Sequence, residues 1–231
     1  MKTVESKLGA VVARLRKLSN PENVKGMARF GISVRNTLGV PIPALRELAK
    51  EIGVDHQLAS GLWGTGIHEA RLLAGFIDDP VLVTEAQMEK WAAEFDSWDI
   101  CDQVCSNLFD RTPFAVKKAR EWSKREAEFM KRAAFVLMAA LAVHDKEADD
   151  KLFLSFLRII ERESTDDRNF VRKAVNWSLR QIGKRNLQMN KAAIGTAKKI
   201  GKRESKAAKW IASDALKELS GEGVARRLSR K

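Results

Sequence analysis

Along the chain apolar residues recur three or four positions apart, in stretches of helical length, and no lasting strand-type alternation appears. Residues 5–18 predict a first amphipathic helix. In GVPIPALRELAKEIG (39–53), Pro43 suits a first helical position and Gly53 an end, the usual asymmetry of helix termini. HEARLLAGFID (68–78) predicts a helix stopped before Pro80. Thr84 and Gln87 have capping-box spacing ahead of a helix with Met88, Trp91, Ala92 and Phe95 on one face. Thr112-Pro113 opens the next. Residues 127–143 are apolar nearly all round and predict a central helix. Residues 146–162 carry Leu152, Phe153, Phe156 and Ile160 as an inward stripe. Helices over 167–183, about 190–200 and 204–219 follow, and GEGVARRLSRK predicts a frayed basic tail over 220–231.

This rhythm of helices and short turns predicts an all-α fold. Stacked helix pairs would form an α-solenoid, favoured over a globular bundle, in one domain over residues 1–219. A solenoid curves, and its concave face is the usual binding surface.

Composition agrees. The 231 residues are 45% hydrophobic, with 14 Gly, 5 Pro and no Tyr. That suffices for a real core and disfavours disorder. The longest apolar run, AAFVLMAALAV (133–143), falls short of the roughly 18 residues of a membrane span. MKTVESKLGA lacks a signal-peptide apolar region, so no membrane partner is expected. Cys101 and Cys105, four apart on one predicted helix, fit neither a disulfide framework nor a four-ligand zinc site. They are expected as reduced, buried side chains in a cytoplasmic protein. His56, His68 and His144 have no metal-ligand spacing, and no GxGxxG, Walker loop or GxSxG occurs. Neither a metal nor an organic cofactor is expected.

Charge changes the picture. The net charge is +12, and from Arg168 onward 18 Lys/Arg face 4 Asp/Glu, which leaves 24 against 26 before it. The excess is entirely C-terminal. It points to an anionic partner, most simply nucleic acid, with a solvated charged face as the plainer reading.

Three constellations carry candidate chemistry. FDSWDICDQVC (95–105) sets Trp98 and Asp102 one helical turn apart on one face. Asp96 or Ser97 suits an N-cap, and Asp99 suits the positive helix end. Cys101 and Cys105 are better placed to point inward, so the Trp98/Asp102 edge would border a cleft suited to a cation. Ordinary packing is the alternative. NFVRKAVNWSLRQIGKR (169–185) traces an apolar stripe of Val171, Ala174, Val175, Ser178 and Ile182. A second stripe holds Phe170, Lys173, Trp177, Arg180 and Lys184, cations for phosphates and rings for stacking. There too a core tryptophan among solvated cations is the alternative. Arg132 opens the central helix, where it either pairs with a buried carboxylate or reaches a ligand phosphate.

Together these residues resemble the AlkD family of DNA alkylation repair proteins, which are HEAT-like-repeat DNA glycosylases. The likeness runs over roughly residues 25–219. It is most specific in SWDICD (97–102), KRAAFVLM (131–138) and NFVRKAVNWSLRQIGKRN (169–186). The resemblance implies a right-handed solenoid of HEAT-like repeats with a concave basic face. It implies Asp102 as the catalytic acid with Trp98 and Trp177 beside the lesion's sugar. Arg132, Phe170, Lys173, Arg180, Lys184 and Arg185 would serve the DNA face. The implied activity is hydrolytic excision of cationic alkylated bases, 3-methyladenine and 7-methylguanine, from duplex DNA by a monomer without metal or cofactor. A non-catalytic solenoid that binds damaged or branched DNA is the alternative, and a protein-binding scaffold a third.

Overall fold

The computed structural model describes residues 3–229. Over them the chain forms fourteen α-helices: α1 (Val4–Lys17), α2 (Pro21–Arg29), α3 (Ile42–Ile52), α4 (His56–Gly64), α5 (His68–Ile77), α6 (Glu85–Ala93), α7 (Trp98–Asn107), α8 (Ala115–Trp122), α9 (Glu128–His144), α10 (Asp150–Glu163), α11 (Asn169–Gly183), α12 (Leu187–Gly201), α13 (Lys206–Leu219) and α14 (Glu222–Ser229). A 3-10 turn spans Phe109–Arg111. No strand occurs among the described residues, and no helix there is long and apolar enough to cross a membrane. The all-α expectation is borne out. Packing groups the helices into two compact units that meet in the chain at Thr112 and Pro113. Unit 1 holds α1–α7 and unit 2 holds α8–α14.

Side-chain caps explain half of the starts. Asn20 accepts from Glu22 and Asn23, Asp55 from Leu58, Asn186 from Met189 and Ser205 from Ala208, each satisfying orphan amides of a first turn. Thr84 accepts from the Gln87 amide at 3.1 Å, but the Gln87 side chain donates to Asp78 at 2.7 Å, so only half of the predicted capping box forms.

Three helices depart from the pattern-based reading. α2 buries no residue completely, and its nine residues carry only Val24 and Met27 as a half-buried apolar pair; Asn20 and Pro21 start it. α4 contains Gly61 and Gly64, which lower helix propensity, and packing on α1 and α5 overrides that cost. α14 occupies most of the span expected as a frayed tail, with Leu228 buried against its unit; residues 230–231 lie outside the described ones.

In unit 1, Trp63 and Trp91 stack with centroids 4.0 Å apart, and Phe95 and Phe109 close around them. α5 packs on α3, α4 and α7 and so sets the position of α7. In unit 2, α9 is buried continuously from Met130 to Ala142 and packs on α8 and α11. The predicted α11 stripe of Val171, Ala174, Val175, Ser178 and Ile182 is buried as expected. Full burial of a side chain such as Phe135 contributes about 1.5–3 kcal/mol, so these two helices are the backbone of the unit's stability.

Candidate functional site

Helix α7 begins at Trp98, directly after Ser97 in extended backbone. Ile100, Cys101, Val104 and Cys105 are buried and turn the opposite face, with half-buried Trp98 and Asp102, toward the unit's surface. Both cysteines are free, and burial pushes the Cys105 thiol well above its ordinary value, so it is inert as a nucleophile. The Trp98 indole donates to the Phe30 carbonyl at 3.0 Å, which ties α7 to the end of α2.

Ser97 does not cap α7 with its side chain. Its hydroxyl donates to the Asp99 carboxylate, whose other oxygen lies 2.8 Å from His68 Nε2. His68 is 2% exposed. Asp99, which the sequence suggests is an ordinary first-turn acid, is thus half of a buried ion pair that fixes the start of α7 against α5. Burial opposes charge on the imidazole, but the bonded Asp99, with Glu69 and Asp96 nearby, raises the His68 pKa above its usual value. Burial likewise opposes charge on Asp99, and the bonds from His68 and Ser97 hold its carboxyl below the usual range.

The signs fix a stability window. The raised histidine contributes fully below about pH 6.5 and less as pH rises through its folded value; the lowered acid contributes above about pH 3.9 and less as pH falls. Thermal melts followed at unit 1 are therefore expected to drop in midpoint between pH 6 and pH 9. His68→Gln should flatten that slope, and an unchanged slope in the variant would exclude the pair as its source.

One helix away, Glu69 is fully buried, and its carboxylate accepts the amides of Leu38, Gly39 and Val40 at 2.8, 2.6 and 3.3 Å. Gly39 is required there: its φ is +78°, and a Cβ would lie 2.2 Å from the Asn20 carbonyl oxygen. No signal in the sequence marks His68, Asp99 and Glu69 as a group, because the partners of His68 and Glu69 lie some thirty residues away in the chain.

The other residues singled out in the sequence lie in unit 2. Arg132 is 6% exposed, and its Nη1 donates to the Phe170 carbonyl at 2.6 Å. Beyond the two partners the sequence leaves open, it therefore binds the backbone of the first turn of α11. Phe170 is half-buried, 5.4 Å from the Phe129 ring. Trp177 is half-buried on α11, and Lys173 is exposed. Arg180 and Lys184 share Glu218, at 2.6 and 2.7 Å. Arg185 donates to the carbonyls of Asp145, Lys146 and Ala148 at 2.6, 3.0 and 2.8 Å and lies over the Phe153 ring. It clasps the α9–α10 connection, and reaching a phosphate would break those bonds.

The entry to α11 is also held by charge. Lys131 pairs with Glu163 at 2.7 Å and Asp166 at 3.1 Å, and Arg168 pairs with Asp166 at 2.6 Å. Burial pushes the Asp166 carboxyl up, but bonds from Arg168 and Lys131 outweigh it and lower its pKa to about 2. That stabilisation is present above about pH 3.9 and is lost as pH falls through 2.

This all-helical architecture is that of the HEAT-like-repeat proteins. A solved structure described as "a new family of proteins related to the HEAT-like repeat DNA glycosylases with affinity for branched DNA structures" matches over 90% of this chain and 93% of that one, with a TM-score of 0.76 and 21% identity. The likeness shows the fold. The chain itself belongs to the family described as DNA alkylation repair enzyme, whose model matches residues 11–219. No curated protein matches it.

Proposed function

We propose that this protein is a DNA N-glycosylase that excises cationic alkylated bases, 3-methyladenine and 7-methylguanine, from duplex DNA. The observation that carries the reading is the half-buried Trp98/Asp102 turn at the start of α7, in a chain of the DNA alkylation repair family. A base alkylated at N3 or N7 carries positive charge, so its glycosidic bond is already weak and the base leaves neutral. Charge then passes to the sugar, which becomes oxocarbenium-like. An ionised Asp102 beside the anomeric carbon stabilises that cation and orients the water that attacks it; the water's proton returns to solvent. The face of Trp98 favours the same cation, by about 0.5–2 kcal/mol, and Trp177 would offer the DNA a ring on unit 2. Exposed Lys173 and the Arg180/Lys184 pair would hold phosphates, at the cost of loosening Glu218. Arg132 and Arg185 support that face from beneath by holding α11 and the α9–α10 connection.

The experiment is release of free 7-methylguanine from a defined duplex. Release above the spontaneous rate is expected. No release, with duplex binding intact and steeply salt-dependent, would instead favour a non-catalytic protein for damaged or branched DNA. The branched-DNA affinity stated for the structural neighbour is what keeps that second reading in view.

A further inference from the structure

His68 is 2% exposed and takes no direct part in the proposed chemistry. A buried ion pair gains little over an apolar pair of the same size, because both charges lose water. What it adds is geometry: its partners must meet at a set distance and angle, whereas apolar side chains can slide. The place of the His68–Asp99 pair gives that geometry a use. Asp99 directly follows Trp98, and Asp102 lies one turn further along the same face of the helix as Trp98.

A closed circuit of bonds runs through these residues, wholly within unit 1. The Asp99 carboxylate meets His68 Nε2 at 2.8 Å, and the Ser97 hydroxyl holds its other oxygen. The backbone amide of His68 donates to the Asn36 carbonyl at 3.0 Å. From Asn36 the chain leads back to Phe30, whose carbonyl accepts the Trp98 indole N–H at 3.0 Å. Trp98 adjoins Asp99, and the circuit closes. Glu69 stiffens its far side by accepting the amides of Leu38, Gly39 and Val40. The first two residues of α5 thus grip both the start of α7 and the segment after α2.

Trp98 needs such a frame because packing leaves it room. A cavity of about 530 Å³ opens beside its ring, bounded by Met27, Phe30, Ile32 and Leu72 among others. Phe30 is 71% exposed, so its side chain makes no firm wall. A half-buried indole next to that much space can turn about its side-chain torsions unless bonds hold it. One bond acts on the ring nitrogen, and the Asp99 bonds act on the backbone turn that carries the ring.

We propose that His68 is a positioning residue of the excision site: through Asp99 it fixes the first turn of α7, and so holds Trp98 and Asp102 in the arrangement that excision uses. Its bearing on excision rests on the glycosylase reading; the holding of Trp98 does not. His68 itself touches no reacting atom.

The main variant replaces both partners, His68→Leu with Asp99→Leu. Apolar side chains of similar size should preserve the fold while abolishing the bond. His68→Gln, which keeps an N–H donor for Asp99, is the conservative variant. Two readouts are taken on the full chain, well below its melting midpoint. One is single-turnover release of 7-methylguanine from a duplex at saturating enzyme, beside the duplex affinity. The other is solvent exchange of the Trp98 indole N–H, assigned by its loss in Trp98→Phe, with the Trp63 indole bonded to Glu94 as the reference for an intact unit 1. The double variant is expected to release base about tenfold or more slowly, with affinity within about twofold of wild type. Its Trp98 indole should exchange faster while that of Trp63 does not change, and His68→Gln should recover part of both effects. A purely structural role would lower the melting midpoint and leave the release rate and the Trp98 exchange of the folded protein unmoved. That result overturns the proposal, as does slower release with an unmoved indole. Should the double variant not fold, His68→Gln carries the test on the same readouts, with an intermediate change expected and no change overturning. If wild type releases no base, the glycosylase reading fails by itself and indole exchange still decides: faster exchange at Trp98 alone supports the His68 frame, and unchanged exchange sinks it.

Discussion

Asp102→Asn is expected to lower release of 7-methylguanine from a methylated duplex by about 10²–10³-fold, with duplex affinity little changed. The substitution keeps the shape, exchanges one acceptor oxygen for an NH2 donor and removes the negative charge. If the carboxylate's task is to face a developing sugar cation, the loss falls on the chemical step. It should therefore appear in the single-turnover rate at saturating enzyme and leave the binding constant nearly untouched. Half-burial matters here, because a carboxylate partly shielded from water acts on a nearby cation through a lower effective dielectric. Equal single-turnover rates for variant and wild type would remove Asp102 from the mechanism. Silence from both proteins, with duplex binding retained, would leave the Trp98/Asp102 turn as a relic on a DNA-binding scaffold.

Glu69→Ala is expected to cost unit 1 about 3–5 kcal/mol, the largest stability loss among substitutions outside the apolar core. The carboxylate accepts three consecutive amides, and Gly39 and Val40 are themselves buried. Alanine would strand those donors, each unsatisfied buried amide costing about 1–3 kcal/mol. Gln at this position keeps one acceptor oxygen and loses charge assistance, so a smaller loss is expected. Urea unfolding followed at the stacked Trp63/Trp91 pair measures both. A loss below about 1 kcal/mol for Glu69→Ala would mean that water reaches the freed amides and that the segment is not anchored as described.

The two units differ in chemical character. Unit 1 carries the proposed acid, Asp102, and Trp98. Unit 2 carries the C-terminal excess of cations and the second tryptophan. Part of that positive charge is already engaged: Arg180 and Lys184 on Glu218, Arg168 on Asp166, and Arg185 on backbone carbonyls. A charge count from the sequence therefore overstates the cations ready for phosphate. Lys173, exposed and on the same helix as Trp177, is the better candidate among the residues named.

The amino-acid sequence by itself determined the helical class, the course of most helices and the residues of the α7 and α11 constellations. Those are properties of near neighbours: apolar spacing of three and four, capping side chains, Pro at starts and Gly at ends. The buried stripe of α11 and the inward cysteines of α7 follow from that periodicity alone. α2 and α4 escaped it, one for want of a buried stripe and the other because packing overrode its glycines. Tertiary structure alone decided the rest. The His68–Asp99 pair, the Glu69 anchor, the Trp98–Phe30 bond and the Arg132–Phe170 bond join residues 29 to 68 positions apart in the chain. No local period encodes such partners. An acid such as Asp99 looks the same in the sequence whether it caps a helix in water or holds a buried imidazole. Only the helices packed around it make the difference, by removing solvent and bringing His68 to 2.8 Å.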